Sequence, residues 1–444
     1  MNLLFYIIEF VKLGSVKIRS VLSMTQSNKY KYKVVVLLII LSVFPIHVLA
    51  ASNELDIPAK SAIAVDFDTG KILYEKNSSE VLPIASMTKL ISAYLVYESV
   101  KTGKISWNDS VPFDDTLIKM TENPDLSNIP IKKELTYTVE DSLKAMLISS
   151  ANVSTTGLAR LISGTEQAFV DQMNLKVDEW GIKDAHFISA SGLDTQDLPK
   201  EDRYPNSKDD DANMMSAKSM VIVAKHLITD YPEVLDITKQ SHYTLFQGTK
   251  DEQTYWSSNL MLPDLYYYTK GVDGLKTGTT PNAGACFIGS TVQDGHRIIT
   301  VVMNVDEKYS RFEVTKNILK HIETYWEYQE VNKAGSNAIV EKADVPNGKV
   351  ETVPLIIKNS SSLWVNKQTS ELKQVFNQKN DKLSAPLKKN VIVGQQVTTD
   401  INDKLGYLDQ KDTGQATSDV MTKTDVLKAN IFVRAWRSIK NSIK

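Results

Sequence analysis

The chain has one cysteine, Cys286, among 444 residues. No intramolecular disulfide can form, and the lone thiol reads as a small buried hydrophobe rather than a nucleophile. Histidine is scarce as well. His186, His226 and His242 are scattered, and nothing clusters with metal-ligand spacing, so neither a metal site nor a cofactor is expected. Charge of one sign is also missing: 51 Lys and Arg against 53 Asp and Glu leave a net −2, without the basic surplus that a nucleic-acid partner demands. No internal repeat of fixed period is found. The longest apolar run, Val34 to Ala50, is short for a membrane span and is broken by Pro45 and His47. What remains, 42% apolar and 23% charged residues, suits a soluble globular protein of two or three domains.

That apolar run has another use. Lys29, Lys31 and Lys33 precede it and Val48-Leu49-Ala50 close it, the basic, apolar and small-residue order of a secretory signal peptide. Met24 gives a leader of ordinary length and is the expected true start. Residues 1–50 are therefore read as the signal region, with an exported chain beginning near Ala51.

Three textures follow. Residues 51–328 mix helix and strand patterns. "SAIAVDFDTGKILYEKN" reads as a hairpin around Asp68-Thr69-Gly70, "IASMTKLISAYLVYESV" as a buried helix and "RIITVVMNV" as a strand. "KEDRYPNSKDDDANMM" reads as a solvated charged loop. Such a mixture suits an α+β fold, an antiparallel sheet covered by helices. Residues 329–417 hold short β-rich runs between Asn, Gly, Ser, Lys and Pro, a small all-β domain. After the polar stretch "QKDTGQATSDVMTKTD", read as a linker, residues 421–444 set Phe432, Trp436, Ile439 and Ile443 on one helical face, with Arg434, Arg437, Lys440 and Lys444 on others. A basic amphipathic helix carrying Trp reads as lying in a membrane surface; the bland alternative is a helix docked on its own core.

Short catalytic motifs recur by chance here, so context must choose among them. S-x-x-K occurs at Ser86-Met87-Thr88-Lys89 and at Ser370-Glu371-Leu372-Lys373. A nucleophilic serine wants the start of a buried helix, with a lysine one turn on and confined enough to lose its proton. Ser86 fits, whereas Ser370 lies in a polar segment and reads as a surface cap. K-T-G occurs at Lys101-Thr102-Gly103 and at Lys276-Thr277-Gly278. The first ends the helix that Ser86 begins, roughly 20 Å away at 1.5 Å per residue, too far to share a substrate. The second stands in an extended Gly-punctuated run, an edge-strand candidate. S-x-N occurs at Ser150-Ala151-Asn152, between two apolar helical stretches, and at Ser257-Ser258-Asn259, read as a surface turn.

In order, Ser86-x-x-Lys89, Ser150-x-Asn152 and Lys276-Thr277-Gly278 resemble the motifs of the penicillin-binding protein and β-lactamase superfamily. With "AIAVDFDTGKILYEKN", "LPIASMTKL", "MLISSANVST", "FISASGLD" and "VDGLKTGTT", the chain more closely resembles low-molecular-mass D-alanyl-D-alanine carboxypeptidases. The likeness extends to "LSAPLKKNVIVGQQV" of the β-rich region and to the terminal amphipathic helix, that family's membrane anchor. It implies a transpeptidase-like domain acting on peptidoglycan stem peptides and acylated by β-lactam antibiotics. Ser86 would be the nucleophile, Lys89 its base and Ser150 a proton relay to the leaving amine. Asn152 would hold the substrate amide and Lys89; Lys276 would supply positive charge. Thr277, within Lys276-Thr277-Gly278, would bind the terminal carboxylate, and the N–H groups of Ser86 and Thr279 would form an oxyanion hole. Arg311 falls where the family has an arginine facing the carboxylate; alternatively it is a surface arginine pairing with Glu313 or Glu307. Ser191, at a position where some members carry histidine, is given no catalytic role. Cleavage of cross-links, as an endopeptidase, or a silent binding role are the rival readings.

Overall fold

The computed structural model describes residues 55–379, 383–409, 411, 412 and 414–442. The signal region read at 1–50 lies outside them, as do Ile443 and Lys444. From Ile57 onward the chain forms one unit.

It opens with the expected hairpin, β1 (Ser61–Asp66) and β2 (Ile72–Lys76). Asp66 Oδ1 accepts from both the N–H and the hydroxyl of Thr69, and Gly70 takes the positive φ of 72° that the turn requires. A short β3 (Val81–Pro83) and a 3₁₀ turn (Ala85–Thr88) lead into α1 (Lys89–Lys101). Most of α1 is buried all round, which is why its sequence shows almost no polar face. Then come α2 (Asp115–Met120), α3 (Val139–Ile148), α4 (Asn152–Ser163) and α5 (Glu166–Glu179). Thr138 and Asp141 close a reciprocal capping box on α3. Beyond β4 (Met214–Ser216), α6 (Ala217–Asp230), α7 (Val234–Thr238), β5 (His242–Leu245) and β6 (Gln253–Trp256), three long strands complete the main sheet. They are β7 (Val272–Thr280), β8 (Gly284–Gln293) and β9 (His296–Val305). The sheet is antiparallel in the order β2-β1-β9-β8-β7, with β7 at its edge.

One face of this sheet packs on α6, and Ile63, Val65, Ile299, Val301 and Met303 join the large core shared with α1. The other face is covered by α8 (Ser310–Tyr325), where Phe287 and Phe312 meet edge to face with ring centroids 5.4 Å apart. Burial on both faces explains the near-continuous apolar runs of β1 and β9. This is the α+β layering expected.

α8 passes directly into β10 (Trp326–Asn332), the first strand of a β-rich module with β11 (Asn337–Asp344), β12 (Thr352–Ile357), β13 (Ser361–Asn366), β14 (Leu372–Gln378), β15 (Ile392–Asp400) and β16 (Gln415–Thr422). The order β11-β12-β16-β15-β14 makes β16 the central strand. The stretch read as a polar linker therefore contains the strand Gln415–Thr422, in which Ala416, Ser418 and Val420 point inward while the alternating Gln415 and Thr417 are polar and exposed. Lys71 ties the two regions together. Its buried ammonium donates to Asp403 Oδ1 at 2.7 Å and to the carbonyls of Ile72 and Gly406, each at 3.0 Å, between the rings of Trp326 and Tyr407. The amphipathic segment forms α9 (Ile431–Ser442).

The charged loop at 200–215 is a second correction. Asp202 is buried against the Arg160 guanidinium, with contacts of 3.1 and 2.6 Å, and Met215 and Asn213 are buried too. Lys200, Glu201 and the charges from Lys208 to Asp210 are exposed, whereas Asp202 is not.

Candidate active site

Ser86 lies in the 3₁₀ turn and Lys89 is the first residue of α1, so the S-x-x-K spacing puts both side chains on one side of a single turn. Ala85 is held at φ 46° to aim that turn. Lys89 is fully buried. Its Nζ lies 2.8 Å from Ser86 Oγ, 2.7 Å from Asn152 Oδ1 and 2.7 Å from the Ser191 carbonyl oxygen. The last two atoms can only accept. A neutral amine has two N–H groups, which they consume, and its lone pair is then left facing the Ser86 hydroxyl. Burial, followed by the positive charge of Lys276, drives the Lys89 pKa well below its ordinary 10.5, while Glu166 opposes this in part. Geometry and electrostatics together leave Lys89 able to accept a proton from Ser86.

Ser150 is buried at the junction of α3 and α4, with φ 64°, and Asn152 begins α4. The junction is fixed by Ala151 N–H donating to Ala145 O at 3.0 Å and Asn152 N–H to Ser127 O at 2.9 Å. The short connection thus brings Asn152 Oδ1 to Lys89 and leaves Ser150 buried two residues before it.

Lys276, Thr277, Gly278 and Thr279 lie on the edge strand β7. Lys276 is buried and donates to the Thr277 carbonyl at 3.0 Å. Desolvation, then the nearby Arg311 charge, lowers its pKa to about 7. Gly278 has a steric reason to be glycine. A Cβ there would stand 2.8 Å from Ile84 O and 3.2 Å from Met87 N, so only a bare Cα lets β7 lie against the Ser86 turn. Gly192 does the same from the opposite wall, with φ 80° and the Ala85 carbonyl 2.0 Å from where a Cβ would be.

Arg311 is not a surface residue pairing with Glu313 or Glu307. It is 2% exposed, and its guanidinium donates to Gly278 O at 2.6 Å, Cys286 O at 2.8 Å and Thr279 Oγ1 at 2.8 Å. It reaches the cleft through Thr279. Cys286 is buried beside it with its thiol pKa raised to about 11, chiefly by burial. The decoy Lys101-Thr102-Gly103 ends α1, with Gly103 at φ 74° as its cap.

Sequence reasoning missed several supports. Asn213, in the loop read as solvated, donates to Thr88 Oγ1 at 3.0 Å and accepts from Ile188 and Ser189 N–H, clamping the S-x-x-K turn to its wall. Glu166 is fully buried and accepts from Ala190 N–H at 3.0 Å, which fixes the peptide before Ser191. Burial, then the charge of Asp202, raises its pKa to about 7. Ser191 enters the site through its backbone carbonyl, which accepts from Lys89 Nζ. Most directly, Ser257-Ser258-Asn259 is not a surface turn: Ser257 and Asn259 are buried and the Thr277 hydroxyl donates to Ser258 Oγ at 2.8 Å. Its S-x-N pattern, unexplained elsewhere, was the available signal. Among the described residues no group of three or more His, Cys, Asp or Glu could hold a metal ion.

The chain is similar to known proteins over most of its length. Residues 48–307 match the family model for D-alanyl-D-alanine carboxypeptidase, and residues 326–428 match that for the penicillin-binding protein 5 C-terminal domain. The chain is 30% identical to the D-alanyl-D-alanine carboxypeptidase DacF of Bacillus subtilis, over 87% of this chain and 91% of that one. Its structure is similar to PBP3 of Streptococcus pneumoniae, described as a peptidoglycan synthesis regulatory factor, with TM-score 0.67, 37% identity and coverage of 84% and 100%. It is also similar to penicillin-binding protein D2 of Listeria monocytogenes in its cefotaxime-bound form, with TM-score 0.50, 30% identity and coverage of 60% and 98%. A buried lysine aimed at Ser86, an edge strand packed on the same turn and a match spanning the catalytic region lead to one conclusion: the chain belongs to the D-alanyl-D-alanine carboxypeptidase family of low-molecular-mass penicillin-binding proteins.

Proposed function

We propose that this protein is a serine carboxypeptidase that removes the terminal D-alanine from peptidoglycan stem peptides through an acyl-enzyme on Ser86. The observation that carries the reading is the set of contacts around Lys89, two acceptors and one hydroxyl. Ser86 Oγ attacks the carbonyl between the last two D-alanines while its proton passes to Lys89 Nζ. Ser150 relays a proton to the departing amine and is resupplied from Lys89, while Lys276, whose pKa is lowered to about 7, supplies positive charge in its protonated form. The peptide bond breaks, an ester to Ser86 forms, and water later hydrolyses that ester. Asn152 holds both Lys89 and the substrate amide, and backbone N–H groups of Ser86 and Thr279 stabilise the oxyanion. Thr277 and Thr279, the latter braced by Arg311, meet the terminal carboxylate. β-Lactams acylate the same serine. The test is release of free D-alanine from a pentapeptide ending in D-Ala-D-Ala, set beside cleavage of a cross-linked muropeptide dimer. Cleavage of the dimer alone would make the enzyme an endopeptidase.

We further propose export through the leader at residues 1–50 and peripheral attachment to the outer face of the cytoplasmic membrane through α9. Ile431, Phe432, Trp436 and Ile439 are all more than 60% exposed, although they are large and apolar. Among the described residues no helix is long and apolar enough to cross a membrane, so α9 would lie in the surface plane.

A further inference from the structure

Thr277 has one hydroxyl proton, and in this structure it is spent on Ser258 Oγ at 2.8 Å. A hydroxyl that must bind a carboxylate needs that proton free, because the carboxylate can only accept. The partner is therefore part of the chemistry. Ser258 is itself a hydroxyl, able to donate as well as accept, and it is only partly buried. Its backbone is held from both sides: Ser258 N–H donates to Ile148 O at 3.0 Å, at the end of α3 just before Ser149-Ser150, and Asn259 Nδ2 donates to Gly274 O at 3.3 Å on β7. Asn259 Oδ1 accepts Met261 N–H at 3.1 Å and closes the turn. The segment is a staple between the strand carrying Lys276-Thr277-Gly278 and the loop carrying Ser150-x-Asn152, and Ser258 is its tip.

We infer that Ser258 is a positioning residue for carboxylate recognition: it holds the Thr277 hydroxyl when the site is empty and turns its own proton toward Thr277 Oγ1 when a carboxylate arrives. The inference rests on the reading that Thr277 meets the terminal carboxylate. Both protons stay on their own oxygens; two O–H bonds rotate with a small turn of the Ser258 side chain, and Thr277 then donates to the anion while accepting from Ser258. The pair acts as a single donor whose orientation is set in advance, which lowers the ordering cost of binding. Alanine at 258 would leave Thr277 without that acceptor and, in the complex, without that donor.

The test compares one peptide ending in D-Ala-D-Ala as the free carboxylate with the same peptide as its C-terminal amide, using the full chain and the variants Ser258→Ala, Ser258→Thr and Thr277→Val. Ser258 bonds a neutral hydroxyl, and a lost bond of that kind corresponds to about two- to tenfold. Ser258→Ala is therefore expected to cut the preference for carboxylate over amide about two- to tenfold, mainly through KM, and Ser258→Thr to restore it. Equal losses on both peptides, or a preference unchanged in Ser258→Ala while Thr277→Val loses it, would overturn the role of Ser258. A preference unchanged in Thr277→Val would instead overturn the reading beneath it.

Discussion

Replacing Gly278 by alanine adds one methyl group where β7 meets the Ser86 turn. The new Cβ would stand 2.8 Å from the Ile84 carbonyl oxygen, 3.2 Å from Ala85 Cβ and 3.2 Å from Met87 N, two of them backbone atoms. Ordinary contact begins near 3.4 Å, so strand and turn must separate by about 0.6 Å. That displaces Lys276, Thr277 and Thr279 from Ser86 together, because they share the strand. A misplacement of about 1 Å costs about 100-fold in reactions of this kind, so a loss of about 10- to 100-fold is expected. Overpacking should also lower stability by about 1–3 kcal/mol. The assay is the second-order rate of acylation by a fluorescent penicillin, with urea unfolding alongside. Gly289→Ala is the control. Its Cβ also meets neighbours at 2.8 Å, but they are the Phe287 ring and the Thr300 hydroxyl, on β8 and β9 away from the Ser86 turn. It should destabilise without slowing acylation more than about threefold beyond any loss of folded protein. Acylation of Gly278→Ala within about twofold of the parent would refute the close-approach argument.

Two further outcomes are expected. Folded Lys276 loses its proton near pH 7, whereas an unfolded lysine keeps it to about 10.5, so unfolding takes up a proton between those values and stability should rise as pH climbs through them. Lys276→Met removes this linkage; urea midpoints measured from pH 7 to 10 should rise less steeply in the variant, and equal slopes would contradict the buried, neutralised lysine. Deleting residues 430–444 should shift the protein from the membrane pellet to the soluble fraction with acylation intact. The helix is tied to the β-rich module through Arg437, bound to Glu351 at 2.8 Å and to the Gly348 carbonyl at 2.7 Å, with the Glu351 carboxylate largely exposed, so the module should stay folded. A truncated chain that still sediments with membranes would end the anchor proposal.

Much of the site could be read from the sequence because its parts are coded locally. An apolar helix starting at Ser86, a Gly-rich strand and a turn between two helices are each visible within about twenty residues, and context rejected the decoys at Ser370 and Lys101. What escaped depends on distant packing. Ser257-Ser258-Asn259 looks like a polar turn until β7 and the end of α3 close over it. Asp202 and Asn213 look solvated until Arg160 and Thr88 are found opposite them. A carboxylate such as Glu166, buried against one backbone N–H, leaves no local mark at all. Arg311 was legible as a candidate, but its partners, the backbone of β7 and β8 and the Thr279 hydroxyl, were not. β16 was mistaken for a linker because its outward residues are as polar as a loop's.

The central claim is that Ser86, activated by Lys89, forms the acyl-enzyme. The direct measurement is intact mass after addition of benzylpenicillin, with peptide mapping of the adduct, on the parent chain and on Ser86→Ala. One adduct on the Ser86 peptide of the parent and none on the variant, together with loss of D-alanine release, is the predicted result. An adduct that persists in Ser86→Ala, or maps to another residue, would contradict it.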